Sequence, residues 1–114
     1  MPSISVNIAT PSSNEPVPNH IVVTGTTDEL LDVPGAITIG SVSVQFGEDG
    51  PVVAASPAGE DLSTWNCAGI VPGAEGNQIK IVATARGRFL PLGSHPDTAR
   101  NVTASTAVLV TLIG

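Results

Sequence analysis

Glycine and proline punctuate this sequence so evenly that a helix has few places to sit. Twelve Gly and ten Pro are spread over 114 residues, and only short windows are free of both, whereas an average helix needs about 11 uninterrupted residues. The runs between the breaks are rich in Val, Ile and Thr, stiff β-branched residues that suit a pleated sheet. An all-β chain is expected.

The pattern within each run agrees. Ile4, Val6 and Ile8 alternate with Ser5 and Asn7, the period-two signature of a half-buried strand. ATPSSNEPVPNH breaks that strand. From His20 to Thr27, Ile21 and Val23 share one face, and Gly25 marks a bulge or a close crossing. DELLDVPG follows as a loop in which Leu30 and Leu31 are expected to tuck one side chain under the sheet. The clearest strand is Ile39 to Phe46, where Val42, Val44 and Phe46 face one way and Ser41, Ser43 and Gln45 the other. GEDGP closes it in a tight turn, Val52 to Ala55 is a candidate edge strand, and SPAGED is another loop.

Further along, Ser63, Trp65 and Cys67 lie opposite Thr64, Asn66 and Ala68. After GIVPGAEGN the alternation resumes, with Ile79, Ile81, Ala83 and Ala85 inward and Gln78, Lys80, Thr84 and Arg86 outward. The indole of Trp65 is expected against Ala83 and Ala85, whose small size leaves it room. Asp97 to Ile113 is long enough for a helix, but its Val, Thr, Leu and Ile favour a strand, with a bulge near Ala104 to Ala107 where apolar residues occur at both parities. About seven strands, with turn signals roughly every 8 to 14 residues, predict a β-sandwich formed as a single domain over residues 1–114.

Composition narrows the partners. The net charge is −6, with ten acids against Lys80, Arg86, Arg88 and Arg100. Nucleic acid and anionic membrane require clustered Lys and Arg, so neither is expected as a partner. Hydrophobic content of 41% is that of a folding chain rather than a disordered one. The single Cys67 cannot form an internal disulfide, and with only His20 and His95 beside it a structural metal site is not expected. No charged leader with an apolar stretch opens the chain, and the run Ala107 to Ile113 is far short of the roughly 20 residues of a membrane span. Met1-Pro2-Ser3 reads as the start of a mature domain, of a segment cut from a longer protein, or of a soluble chain.

Several segments together carry a family resemblance. GSVSVQFG at 40–47, the lone Trp65, VPGAEGNQIKIVATARG at 71–87 and VVTGTT at 22–27 resemble the pattern of bacterial immunoglobulin-like domains of secreted and surface proteins. There, a strand ending in an aromatic precedes a Trp strand, and a strand of the type apolar-x-apolar-x-Ala-x-Ala completes the core. The resemblance implies an immunoglobulin-like sandwich of about seven antiparallel strands in two sheets. It also implies a modular, non-catalytic role and an extracellular or cell-surface location. The chain departs from the pattern in three places. The long GRFLPLGSHPDTAR loop replaces the frequent Asp-Gly-Asn turn, which puts an inherited calcium site in doubt, and the Tyr of a tyrosine corner and a Cys pair are missing.

Candidate chemistry is sparse. Cys67 beside Trp65 on an apolar face lacks a neighbouring His and reads as a buried structural thiol. Ser94, His95 and Asp97 could be imagined as a triad, but the strained turn that exposes a nucleophile is missing, so loop polar residues are favoured and no catalytic residue is assigned. Asp28, Glu29 and Asp32 in one loop, Glu48 and Asp49 in a second, and Glu60 and Asp61 in a third offer oxygen ligands of the kind Ca²⁺ takes. None has the full spacing of an EF-hand, and solvated acids are favoured, with Asp28, Glu29 and Asp32 kept as calcium candidates. No carbohydrate-stacking platform accompanies the acids as glycosidase carboxylates. Asn101-Val102-Thr103 matches a glycosylation acceptor pattern that matters only in a eukaryotic secretory setting. In RGRFLPLGSHPD, Arg86 and Arg88 flank an apolar group of Phe89, Leu90 and Leu92 that either caps the open end of the sandwich or contacts a neighbour. The cap is favoured.

Two functions follow. The first is a structural or adhesive module that spaces or presents other domains in a secreted, cell-surface or virion protein, with neighbouring domains or a protein as partners and no cofactor. The second is an accessory binding module attached to a secreted enzyme, recognising a polysaccharide or peptide through residues 86–97 or by adding a strand to a free edge.

Overall fold

The computed structural model describes residues 3–10, 12, 14–31, 34–47, 50, 52–60, 62–71, 76–91, 93 and 99–113. Among them are nine strands and no helix: β1 (Ser3–Thr10), β2 (Pro16–Val17), β3 (His20–Leu30), β4 (Gly35–Phe46), β5 (Val52–Ala54), β6 (Ser56–Pro57), β7 (Thr64–Ile70), β8 (Gln78–Pro91) and β9 (Arg100–Leu112). The count exceeds the expected seven because β2 and β6 are two-residue strands inside segments that read as breaks. The strands form two sheets, ordered β1-β3-β7-β6 and β2-β9-β8-β4-β5. The fold is a β-sandwich, as the punctuation and alternation predict.

The alternating residues build the core. Val23, Trp65 and Cys67 of one sheet and Val42, Val44, Phe46, Ile81, Ala83, Ala85, Val110 and Leu112 of the other are all buried in one cluster. Each large aliphatic side chain placed there contributes roughly 1.5–3 kcal/mol of transfer free energy. The indole of Trp65 finds its space beside Gly25, its register partner across β3, where an added methyl would strike both the indole and the backbone carbonyl of Asn7. Gly69 does the same for the ring of Phe46. Gly25 is thus a close crossing, and it faces the irregular pairing between Ile8 and Thr10 of β1.

The structure corrects four expectations. β3 continues through Asp28 and Glu29 to Leu30, paired with β1 from Ser3↔Leu30 onward, so residues 28–30 are strand rather than loop. Leu30 and Leu31 remain 62% and 42% exposed and tuck under nothing. β8 likewise runs past Gly87 to Pro91, so Arg88, Phe89 and Leu90 are strand residues. Finally, β9 pairs with β8 from Gln78↔Thr111 to Phe89↔Arg100 without a register shift. The apolar residues at both parities there reflect exposed Leu109, not a bulge. The bulge of this sheet is instead on β4, between Ile39 and Ser41.

That bulge explains the length of β4. Ile37 and Ile39 are odd-numbered, Val42, Val44 and Phe46 even-numbered, and both sets point inward only if one residue is inserted between them. Gly40 is that residue. It lets β4 follow β8 over the register Gly35↔Pro91 to Phe46↔Ile81 while keeping one apolar face.

Candidate functional site

The outward face of β8 carries the basic residues. Lys80, Arg86 and Arg88 share one parity on that strand and are opposite in sense to the buried Ile81, Ala83, Ala85 and Phe89. Both Arg side chains are exposed. The register sets hydroxyl and amide side chains on either side of them: Ser41 and Thr103 flank Arg86, while Thr38 and Asn101 flank Arg88. All of these but Thr103 line a shallow groove together with Gly87 and Gly40, the exposed glycine of the bulge. Among the described residues neither guanidinium has an ion-pair partner.

Charge is divided between the sheets. The strands of the five-stranded sheet hold all four basic residues of the chain, Lys80, Arg86, Arg88 and Arg100, and no carboxylate. The strands of the four-stranded sheet hold Asp28 and Glu29 and no cation. Among the described residues of a chain of net charge −6, the outward side of β8 thus carries Lys80, Arg86 and Arg88 in a sheet whose strands hold no carboxylate.

Of the acidic candidates, Asp28, Glu29 and Glu60 lie among the described residues. Asp28 and Glu29 are consecutive strand residues, so their side chains leave opposite faces of the sheet. Both border a cleft at the sandwich edge, lined also by Thr27, Ile37, Thr38, Ile39, Leu62 and Ser63. Thr27 is tied there, its hydroxyl donating to the Leu62 carbonyl at 2.7 Å and its N–H to that of Ser63 at 3.0 Å. Glu60 is exposed in the turn before β7. Asp32, Glu48, Asp49 and Asp61 lie outside the described residues, among which no three His, Cys, Asp or Glu side chains group as metal ligands.

Cys67 is buried, and its thiol points toward the carbonyls of Val53 and Ala54 at 3.7 and 3.9 Å, a weak link from β7 to β5 across the sandwich edge. Desolvation by burial raises its pKa. This is the environment of an inert thiol rather than a nucleophile. His20 is exposed at the start of β3, paired with Ile70. Ser94, His95 and Asp97 lie outside the described residues. Trp65 is 1% exposed, and its indole N–H has no partner among the described residues.

The apolar group of the 86–97 segment is split by the strand. Phe89 is 4% exposed and belongs to the core, placed among Ile37 and the other buried residues. Leu90 is half-buried on the opposite face and Leu92 lies outside the described residues. What joins Arg86 and Arg88 is not a loop but a strand face, set by the pairing of β4 and β9 with β8. The parity of Lys80, Arg86 and Arg88 was its signal in the sequence. No protein-family model matches the chain, and no curated protein matches it.

Proposed function

We propose that the chain is an immunoglobulin-like structural module, a non-catalytic bead that spaces or presents neighbouring domains in a secreted, cell-surface or virion protein. The strand order supports the fold assignment. Lettered in chain order, β1, β3, β7 and β6 correspond to strands A, B, E and D, and β9, β8, β4 and β5 to G, F, C and C′, the two-sheet arrangement of immunoglobulin domains. The Trp is the departure, on the E-like strand rather than the C-like one.

The observation that carries the spacer role is the position of the chain ends. β1 begins where β3 finishes, beside the cleft that joins residues 27–29 to 37–39, while β9 finishes beside Gln78 and Val17 at the other pole. A body 54 Å long and 25 by 20 Å across is thus entered at one pole and left at the other. Repeated in line, such a unit adds length rather than width. Small-angle scattering of a directly fused two-copy chain tests this: a maximum dimension near twice that of one copy supports the spacer, and a side-by-side particle of unchanged length refutes it.

A second reading, the accessory binding module, is favoured by one observation, the separation of all basic residues onto one sheet.

A further inference from the structure

Resting on that second reading, we infer that the outer face of β8 at the Gly40 bulge is a binding site for a linear acidic polysaccharide, with Arg86 and Arg88 as the anionic-group contacts. Two features meet there independently. One is charge: Lys80, Arg86 and Arg88, three of the four Lys and Arg residues of an acidic chain, line up on the outward face of β8 in a sheet whose strands have no carboxylate. The other is shape: a bulge, a device that re-aims side chains at sites, exposes Gly40 in a groove that both arginines line.

The lining selects the class of ligand. Arg86 and Arg88 stand two residues apart, about 6.7 Å along the strand, each a planar fork that matches a carboxylate or sulfate in bidentate fashion. Ser41, Thr38, Asn101 and Thr103 beside them present the donors and acceptors that sugar hydroxyls pair with. Single-stranded nucleic acid requires aromatic side chains for stacking, and the groove has none. A protein partner requires an apolar or aromatic anchor at its centre, and the groove lacks that as well. Lys80, on the same face six residues away, extends the cationic track for a chain-like ligand.

Affinity gel electrophoresis of the full chain tests the site, using gels containing polygalacturonate, dextran sulfate or neutral dextran. The expected result is retardation by an acidic glycan, lost on adding salt because exposed contacts are screened beyond about 8 Å at physiological ionic strength, and none by dextran. The double variant Arg86→Gln/Arg88→Gln should bind at least about tenfold more weakly, a loss of roughly 1.4 kcal/mol, at an unchanged unfolding midpoint. Equal retardation by dextran, or full retention in the double variant, overturns the charged site while leaving a binding module in place elsewhere. Equal competition by polyglutamate or single-stranded DNA overturns the polysaccharide assignment. Retardation by no glycan overturns both the site and the accessory-module reading.

Discussion

At the scale of single residues, the core is fixed by glycines as much as by the side chains they admit. Gly25 leaves the space in which the Trp65 indole lies, with the Asn7 carbonyl closing the other side. Neither neighbour can withdraw without disturbing β1 or the core, so Gly25→Ala is expected to destabilise by about 3 kcal/mol, the upper range for overpacking. Chemical unfolding measures it directly. Trp65 itself carries an opposing term. Truncation to Ala leaves a large cavity and should cost about 3–5 kcal/mol. Phe also removes an indole N–H that is buried without a partner, relieving roughly 1–3 kcal/mol of desolvation. Trp65→Phe is therefore expected to cost less than about 2 kcal/mol in the same measurement, and a cost equal to that of Ala would mean that the N–H is satisfied. Cys67 gives a pH signature. Burial raises its folded pKa, so the neutral thiol's contribution is complete below the unfolded value of about 8.5 and fades as pH rises through the folded pKa. Wild-type stability should fall more steeply than that of Cys67→Ala above about pH 8.5, read from unfolding midpoints at pH 7 and 10. The sequence pointed to a tight place at Gly25 and to Ala83 and Ala85 as neighbours of Trp65, which share its core cluster, but not to Gly25 as a neighbour of the indole. Strand register across β3, which no local pattern encodes, decides which small residue sits beside the indole.

At the scale of elements, β4 shows how a sheet keeps its apolar face across an insertion. Ile37 and Ile39 at odd positions and Val42, Val44 and Phe46 at even ones share the core only because Gly40 is looped out. Its side-chain position is open, with nothing nearer to an added methyl than the Arg86 carbonyl at 3.8 Å. Gly40→Ala should therefore change stability by less than about 0.5 kcal/mol. Deleting Gly40 turns one half of β4 inside out, exposing Ile37 and Ile39 or burying Ser41 and Ser43. The deletion variant is expected to lose cooperative unfolding or to precipitate, and a well-dispersed amide spectrum from it would contradict the parity account. The sequence carries a cue to this bulge, a change of parity around a glycine, that the expectation of one strand from Ile39 to Phe46 did not include. The same cue misled at Ala104 to Ala107, because an exposed Leu109 imitates a parity change without one. The ends of β3 and β8 were hidden for another reason. Asp28, Glu29, Gly87 and Pro91 are weak strand formers, and pairing with β1, β4 and β9 overrides their propensity. Arg86 and Arg88 were visible as candidates, whereas the hydroxyl-bearing neighbours that complete their face belong to β4 and β9 and enter only through tertiary pairing.

At the scale of the whole molecule, the separation of the chain ends distinguishes this sandwich from most domains, whose termini lie close together. The two ends of β8 mark the poles, since Pro91 pairs with Gly35 near the start of the chain's path and Gln78 pairs with Thr111 near its end. A linker joining Leu112 back to Ser3 must therefore cover a span comparable to a strand of 14 residues. At 3.3–3.6 Å per extended residue, that is roughly 45–50 Å. Circular permutants opened in the exposed turn at Gly59 put this to the test. With a linker of about 6 residues, some 20 Å at most, the two ends cannot both reach their strands. The permutant should then leave β1 or β9 unpaired, or exchange it with a second copy and elute as a dimer. With a Gly/Ser linker of about 40 residues, whose root-mean-square reach of roughly 35 Å brings the span within ordinary fluctuation, the monomer should fold with an unfolding midpoint close to that of the parent. Folding of the short-linker monomer would mean that the ends lie on one side of the body. Such a domain would hang from its neighbours instead of extending them, and the spacer reading would fall with it.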